Sequence, residues 1–304
     1  MDRTQLDELL AAIASRIEPG ATLLEHRPLT GGVSAHIHAV RYRSGDGRTR
    51  EVVVRRHGAA DWKPRTSHVT RVEYTLLTAL HTAGLAVPEP LLLDVSGDLF
   101  PSPYLVLEMV PGTTKVAAAQ LDTALAQMAA FLVRLHTLSV AAEVSEVLPA
   151  REDPVTGALQ YLPNTPELAN ERAIIANWQV SSAPRALLHG DFWPGNVIWR
   201  EERLAAVIDW EDAALGSAMS DLAACRAELM VAYGNRPMDR FTDHYLASST
   251  LDTSDLVLWE IYVSSAALAT LADWGLAPDV ESRRRTATAA FLQAALQRLR
   301  SLSL

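Results

Sequence analysis

The sequence predicts an α+β protein in which a small antiparallel β-sheet lobe precedes a larger, mainly helical lobe. Short apolar strands separated by turn residues crowd the first 110 residues. Pro111 and Gly112 then break the pattern, and long Ala- and Leu-rich segments with helical spacing follow. We therefore expect two domains, an N-terminal lobe of residues 1–110 and a C-terminal lobe of residues 111–304.

The first lobe is expected to open with an amphipathic helix over 2–18, because its apolar residues recur at helical spacing. Strands are predicted at 22–29, 35–43, 50–57, 90–95 and 103–109. A helix over 67–83 separates the third strand from the fourth and ends before Gly84. These elements predict a five-stranded, mostly antiparallel sheet with one helix inserted after the third strand.

The second lobe is expected to begin with a long helix over 117–139 and to continue as an irregular, proline-containing segment over 141–165. Short strands are predicted at 186–189, 197–200 and 205–208. Everything after residue 218 has helical spacing, and the predicted helices are 218–232, 236–249, 252–274 and 279–301.

Composition narrows the function classes. The 304 residues carry a formal charge of −9, which argues against nucleic acid or an anionic membrane as the main partner. The single cysteine, Cys225, excludes an intramolecular disulfide and a Cys-rich zinc site. Asp7 and Glu8 interrupt the apolar core that a signal peptide would need, and no stretch is expected to reach the ~18 apolar residues of a membrane span. We expect a cytoplasmic protein.

The negative charge is concentrated in the second lobe. Residues 1–110 hold 13 acidic and 12 basic side chains, whereas residues 111–304 hold 23 acidic and 15 basic ones. This excess indicates either a solvated acidic surface or a pocket that attracts cations, such as a metal ion or an amine-bearing substrate.

The strongest motif is a run in which His189, Gly190 and Asp191 are followed by Asn196. An Asp with an Asn five places later is common, but a preceding His-Gly reduces the chance expectation to about one in a thousand chains. Asp209 closes an apolar segment eighteen residues after Asp191. The spacing therefore points to a built site rather than to an accidental group of turn residues.

With these residues the sequence resembles the aminoglycoside phosphotransferase and choline kinase family, relatives of the protein kinases. The resemblance runs from Thr30 to at least Ala223. The family's H-G-D-x-x-x-x-N loop and its I-D-[WFY] strand end are both met. Its G-D-P-x-x-D-L-A segment is met in part, since Ser217 and Ala218 replace the first Asp and the Pro. The resemblance implies a bilobal protein-kinase-like fold.

The resemblance also implies transfer of a phosphoryl group from ATP or GTP to a small-molecule hydroxyl, with Mg²⁺ as cofactor. Asp191 is then the catalytic base that accepts the hydroxyl proton. Asn196 and Asp209 supply hard oxygen ligands of the kind that Mg²⁺ prefers.

The first lobe is expected to bind the nucleotide. Gly31, Gly32 and Ser34 lie in a turn between the first two predicted strands, where glycines allow close approach of the backbone to phosphates. The segment from Glu108 to Val110 resembles the hinge whose backbone binds adenine.

The third strand carries Arg55 where a protein kinase would carry a lysine, and Glu73 on the following helix is its expected partner. Arginine and lysine are not interchangeable at a geometric site, but a guanidinium can bridge a carboxylate and a phosphate.

The acceptor is left open at this point. Trp193, Trp210, Glu211 and Asp212 are candidate acceptor-binding residues because they flank the expected catalytic residues. The acidic second lobe favours an aminoglycoside or an amino alcohol, whereas six of the seven tryptophans in that lobe leave room for a macrolide. The alternative function is a nucleotide-binding regulator with little turnover. The oligomeric state is not indicated by the sequence.

Overall fold

A computed structural model describes residues 2–29, 35–57 and 63–302. The chain divides into two compact units, and each unit consists of two separate segments of the chain. The first unit comprises Met1–Gly112 together with Ala205–Glu211, and the second comprises Thr113–Leu204 together with Asp212–Leu304. A short segment from the later part of the chain therefore belongs to the first unit.

The first unit is built around one antiparallel sheet. Its described helices and strands are α1 (Arg3–Ile17), β1 (Thr22–Pro28), β2 (Ala35–Arg43), β3 (Thr49–His57), α2 (Lys63–Thr82), β4 (Pro90–Asp94) and β5 (Tyr104–Glu108). The strand order is β1-β2-β3-β5-β4, and every neighbouring pair is antiparallel. The predicted five-stranded sheet, with one helix after its third strand, is confirmed.

Helix α1 closes the core on one side of this sheet. The Asp2 side chain caps the helix by accepting a hydrogen bond from the Gln5 backbone N–H at 2.9 Å. Leu10 and Ile13 are buried in the same cluster as the strand residues Val40 and Val54. Full burial of each such aliphatic side chain contributes about 1.5–3 kcal/mol, so the apolar stripe of α1 fixes the helix in place.

The segment 205–211 is held in the first unit by its own backbone. Val207 N–H donates to the Ala86 carbonyl at 2.8 Å. The indole N–H of Trp210 donates to the Val207 carbonyl at 3.0 Å, and the Trp210 ring is buried. These contacts form a tight local turn, which carries Asp209 and Glu211 into the first unit.

The second unit combines short strands with many helices. Strand β6 (Ala186–Leu188) pairs antiparallel with β9 (Ala214–Gly216). Strand β7 (Val197–Arg200) pairs with β8 (Arg203–Val207), which begins in this unit and continues into the segment 205–211 of the first. The described helices are α3 (Leu121–His136), α4 (Ala142–Ser145), α5 (Pro154–Tyr161), α6 (Ala169–Ala176), α7 (Met219–Tyr233), α8 (Asn235–Ser248), α9 (Leu256–Thr270) and α10 (Pro278–Leu302).

The expectation of an irregular segment over 141–165 is wrong in its helical parts. Helix α5 begins there because Asp153 caps it, accepting hydrogen bonds from the Val155 and Thr156 N–H groups at 3.1 and 3.0 Å. Pro154 occupies the first turn, where its missing N–H costs nothing. Proline often interrupts helices, but Pro154 begins one here.

Helix α9 is a core element of the second unit. Val257, Leu258 and Ile261 are buried with residues of α5 and α10. Among the described residues, one segment, Leu256–Trp274, is long and apolar enough to cross a membrane by length and composition, and 44% of its window is buried. The expectation that no stretch is this long and apolar is therefore wrong for this helix, even though it contains Glu260. A core helix passes the same test, so this is weak evidence for a membrane span.

Candidate active site

The loop after β6 holds Asp191 and Asn196 together. The Asn196 side-chain amide donates to the Asp191 carboxylate and to the Asp191 backbone carbonyl, each at 2.9 Å. Asn196 ends a short 3-10 turn and is buried, whereas Asp191 is exposed. The fixed amide therefore orients a carboxylate that remains open to solvent.

Two residues before Asp191, the loop depends on a buried ring and on a glycine. The His189 ring is fully buried, and its Nδ1 accepts the Asp191 backbone N–H at 3.2 Å. Gly190 has a φ of +87°, and a Cβ at this position would collide with the Asp212 backbone carbonyl. Only glycine satisfies both requirements, which explains the His-Gly pair in front of Asp191.

A fully buried carboxylate lies beneath this loop. Asp221 on α7 accepts hydrogen bonds from the backbone N–H groups of His189 and Gly190 at 2.7 and 2.9 Å. His136 Nε2 lies 3.3 Å from the same carboxylate, and His136 Nδ1 lies 2.8 Å from the Tyr245 hydroxyl. We call Asp221, His136, His189, Gly190 and Tyr245 the Asp221 cluster. It fixes the backbone that leads into Asp191.

The electrostatics of this cluster favour an ionised carboxylate. Burial by itself raises the pKa of Asp221, but the hydrogen bond and charge of His136, together with His189, outweigh it and hold that pKa below its ordinary value. Asp221 is the Asp of the family's D-L-A segment, and the sequence by itself assigns it no role. That segment was the signal that could have identified this anchor.

The first unit holds a second charged group, centred on Arg55 of β3. Its Nη1 donates to Glu73 at 2.6 Å, and its Nη2 donates to Asp209 at 2.9 Å and to Glu211 at 2.7 Å. We call these four residues the Arg55 cluster. Burial lowers the pKa of Arg55, but the carboxylates of Glu73, Asp209 and Glu211 together raise it above its ordinary value. The predicted pair of Arg55 and Glu73 is thus present, with two further carboxylates.

Asp209 reaches Arg55 from a rare backbone conformation. Its φ is +69°, in the left-handed region that Asp tolerates better than most residues. Residues held in this region are frequent at functional sites because the surrounding structure must stabilise them. The Trp210 turn supplies that support, since the indole N–H of Trp210 binds the backbone carbonyl of Val207, two residues before Asp209.

The predicted metal ligands have suitable donor atoms. The Asn196 amide gives its N–H groups to Asp191, which leaves its oxygen as the atom that would bind a cation. The Asp209 side chain is one-third exposed. Across the described ranges, no group of three or more His, Cys, Asp or Glu side chains could hold a metal ion. A two-oxygen set fits Mg²⁺, which retains waters and phosphate oxygens as further ligands. The shared metal site stays a prediction.

The other predicted nucleotide residues are placed less informatively. Gly31, Gly32 and Ser34 lie outside the described residues. Glu108 ends β5, and its backbone N–H already donates to the Glu89 carbonyl at 2.8 Å. Val110 follows the strand and is half-buried. A hinge role for the segment from Glu108 to Val110 stays a prediction.

The four candidate acceptor residues separate in the structure. Trp210 is buried in the first unit and contributes packing. Glu211 belongs to the Arg55 cluster. Trp193 lies over Gly195, where any Cβ would collide with the indole ring, and Asp212 is exposed beside Gly190. Trp193 and Asp212 lie in the second unit with Asp191, and acceptor binding by any of the four residues stays a prediction.

Comparison with known proteins agrees with this geometry. The model of the phosphotransferase enzyme family matches residues 26–256. The chain is 25% identical over 231 residues to acyl-CoA dehydrogenase family member 11 of Rattus norvegicus, a match that covers 67% of this chain and 30% of that protein. It is 26% identical over 257 residues to viomycin phosphotransferase of Streptomyces vinaceus, covering 75% of this chain and 80% of that protein.

A solved structure shows the same fold. The choline kinase LicA from Streptococcus pneumoniae superposes with a TM-score of 0.61 at 16% identity, covering 95% of this chain and 99% of that one. The chain spans less than a third of the length of the acyl-CoA dehydrogenase relatives that it matches. The family match, by contrast, covers more than half of this chain. The chain therefore belongs to the phosphotransferase enzyme family.

Proposed function

We propose that this protein transfers the γ-phosphoryl group of ATP to a hydroxyl of a small, cationic molecule. The observation that carries the proposal is the Asp191 loop, in which Asn196 orients an exposed carboxylate and the Asp221 cluster fixes the backbone. Phosphoryl transfer needs little covalent chemistry from the protein, so catalysis rests on positioning and on charge stabilisation. This loop supplies positioning.

Asp191 is the base in this proposal. The acceptor oxygen forms a bond to the γ-phosphorus while the bond from that phosphorus to the β–γ bridging oxygen breaks, and a nucleoside diphosphate leaves. The hydroxyl proton passes to the Asp191 carboxylate, whose second partner, the Asn196 amide, holds it in one orientation. A fixed carboxylate reduces the entropy that must be lost when the acceptor is aligned.

The Arg55 cluster serves the phosphates. Arg55 is the buried cation that the nucleotide phosphates would contact, and Glu73 holds its guanidinium through Nη1. Asp209, together with Asn196, would hold Mg²⁺. When bound, the metal supplies neutralisation of the phosphate charge. The predicted turn of Gly31, Gly32 and Ser34 would bring backbone N–H groups to the same phosphates.

A cationic acceptor is favoured by charge. The acidic excess of residues 111–304 raises the local concentration of cations at the second unit. Viomycin phosphotransferase, which this chain matches over 80% of that protein's length, and choline kinase are named for viomycin and choline. Both compounds therefore belong in the test. An aminoglycoside or an amino alcohol fits this reasoning better than a macrolide, which stays in the panel as the apolar comparison.

The test is nucleotide turnover measured by an NADH-coupled assay with Mg²⁺ and either ATP or GTP. The acceptor panel contains aminoglycosides, viomycin, choline, other amino alcohols and macrolides, and mass spectrometry identifies the phosphorylated product. We expect one acceptor class to stimulate turnover, and Asp191→Asn to lower kcat by about 10²–10⁴-fold. Asp239→Asn, an exposed carboxyl on α8, is the matched control and should leave turnover unchanged.

The alternative, a nucleotide-binding regulator with little turnover, makes a different prediction. It requires nucleotide binding without stimulated turnover by any acceptor. Asp191, Asn196 and Asp209 argue against it, because a silent relative has no chemical need for all three. Equal turnover in wild type and Asp191→Asn would contradict the proposed role of Asp191 directly.

A further inference from the structure

Glu211 lies two residues after Asp209, and its carboxylate is directed at Arg55. The Glu211 carboxylate accepts a hydrogen bond from Arg55 Nη2 at 2.7 Å, which is as short as charge-assisted bonds usually are. The Glu211 side chain is about a quarter exposed, whereas the Arg55 side chain is 7% exposed. A carboxylate in this position acts on the buried cation rather than on solvent.

The guanidinium is held from two directions. Glu73 of α2 accepts from Nη1, and Glu211 accepts from Nη2, so the two terminal nitrogens are fixed by different elements. Asp209 shares Nη2 with Glu211. If Asp209 turns to a metal ion, Glu211 is the carboxylate that keeps Nη2 in place. A lysine ammonium is a single point charge and could not be fixed in this way.

The cluster also contains a donor that lacks an acceptor. Arg55 Nε is buried and has no hydrogen-bond partner among the residues that the structure describes. Leaving a buried donor unsatisfied is unfavourable, so the arrangement is completed by an acceptor that comes from outside this part of the chain. A phosphate oxygen has the required chemistry.

We propose that Glu211 is a positioning residue for nucleotide phosphate, acting through Arg55, and that it does not bind the acceptor. This rests on the proposed function, because it assigns Arg55 to the phosphates. Glu211 and Glu73 together fix the two terminal nitrogens of the guanidinium, and Nε is the donor that a phosphate oxygen would bind. Arg55 and Glu211, which lie 156 positions apart in the sequence, therefore act together on the phosphate.

The experiment measures nucleotide affinity by calorimetry without acceptor, both with Mg²⁺ and with a chelator, and then KM for nucleotide and for acceptor. We expect Glu211→Ala to raise the nucleotide Kd about tenfold in both conditions, and Glu211→Gln to raise it less, because an amide oxygen still accepts a hydrogen bond. KM for the acceptor should not change. In an Arg55→Ala background, Glu211→Ala should have almost no further effect.

Glu51→Gln is the matched control, since Glu51 lies on β3 like Arg55 but pairs with Arg27 at 3.2 Å. It should leave nucleotide Kd unchanged, and thermal unfolding verifies that all variants fold. A changed KM for the acceptor with unchanged nucleotide Kd would overturn the inference, as would an effect that disappears in chelator, which marks a metal ligand. Absence of nucleotide binding by the wild type would instead refute the proposed function, and this inference with it.

Discussion

The two units each bury a charged cluster, and the clusters are built in opposite ways. In the Arg55 cluster one cation faces three carboxylates, and the side chains of Asp209 and Glu211 are a third and a quarter exposed. In the Asp221 cluster one carboxylate receives hydrogen bonds from converging donors and is fully buried. The first has an excess of negative charge and a donor, Arg55 Nε, that has no acceptor within the described part of the chain, whereas the second satisfies its central carboxylate internally.

The difference indicates different roles. A fully buried and satisfied carboxylate is costly to disturb, because the low dielectric strengthens each of its bonds. The Asp221 cluster therefore makes the Asp191 loop rigid. The Arg55 cluster can exchange one partner for another, because Asp209 and Glu211 both remain accessible to solvent. We expect changes in the second unit to appear mainly in stability, and changes in the first unit mainly in nucleotide affinity.

The largest expected effect is that of Asp221→Asn. Removing the charge leaves the His189 and Gly190 N–H groups with a weaker acceptor and uncouples His136. Leaving buried hydrogen-bonding groups with a poorer partner costs about 1–3 kcal/mol per group, so thermal unfolding should show a large loss of stability. Turnover should fall as well, because the Asp191 loop loses its anchor.

The matched control is Asp122→Asn, since Asp122 forms an exposed pair with Arg240 at 2.9 Å. Exposed pairs contribute about 0–1 kcal/mol, so this variant should unfold close to the wild type. Thiol labelling provides a second measurement: Cys225 is buried one helical turn after Asp221, and burial raises its pKa well above the ordinary value. Its labelling should be faster in Asp221→Asn. Equal labelling rates would argue against a rigid anchor.

Arg55→Lys should have the next largest effect, and it should appear in a different measurement. An ammonium cannot hold Glu73, Asp209 and Glu211 at once. We expect nucleotide Kd to rise about tenfold, or about 1.4 kcal/mol, with a smaller loss of stability than in Asp221→Asn. Arg50→Lys on the same strand, half-exposed and paired with Glu18, should leave nucleotide Kd unchanged. If Arg55→Lys altered only stability, the assignment of the Arg55 cluster to nucleotide affinity would be contradicted.

The smallest expected effect is a pH dependence of stability. The folded pKa of Asp221 lies below its unfolded value, which is about 3.9. Its contribution to stability is therefore fully present above about pH 4 and is lost as the pH falls through the folded pKa. Thermal unfolding from pH 7 to pH 3 should show the difference between wild type and Asp221→Asn narrowing below pH 4. A constant difference would contradict an ionised Asp221.

The fold of the first unit was predictable because its signals are local. The alternating strands and the amphipathic first helix each depend on neighbouring residues, and the antiparallel sheet is confirmed. The segment 141–165 was predicted less well. Pro154 can either break a helix or begin one, and the choice depends on the capping contact of Asp153.

The candidate site was predictable in part. The motif placed Asp191 and Asn196 on one loop, and the amide does contact the carboxylate. The close contact between Gly190 and the Asp212 carbonyl, which leaves no room for a Cβ, was not predictable from the sequence, because it depends on where that carbonyl lies. Glu211 was expected near the acceptor, and its bond to Arg55 joins residues 156 positions apart. No pattern of neighbouring residues reports such a contact.

By itself, the sequence determined the fold class, the family and the loop that carries Asp191, because these depend on hydrophobic periodicity and on short, fixed spacings. Only the tertiary structure decided which carboxylates surround Arg55 and which carboxylate anchors the Asp191 loop. The physical reason is that both clusters are assembled by packing between distant elements. The chain returns at 205–211 to bring Asp209 and Glu211 to β3, and α7 brings Asp221 to the end of β6.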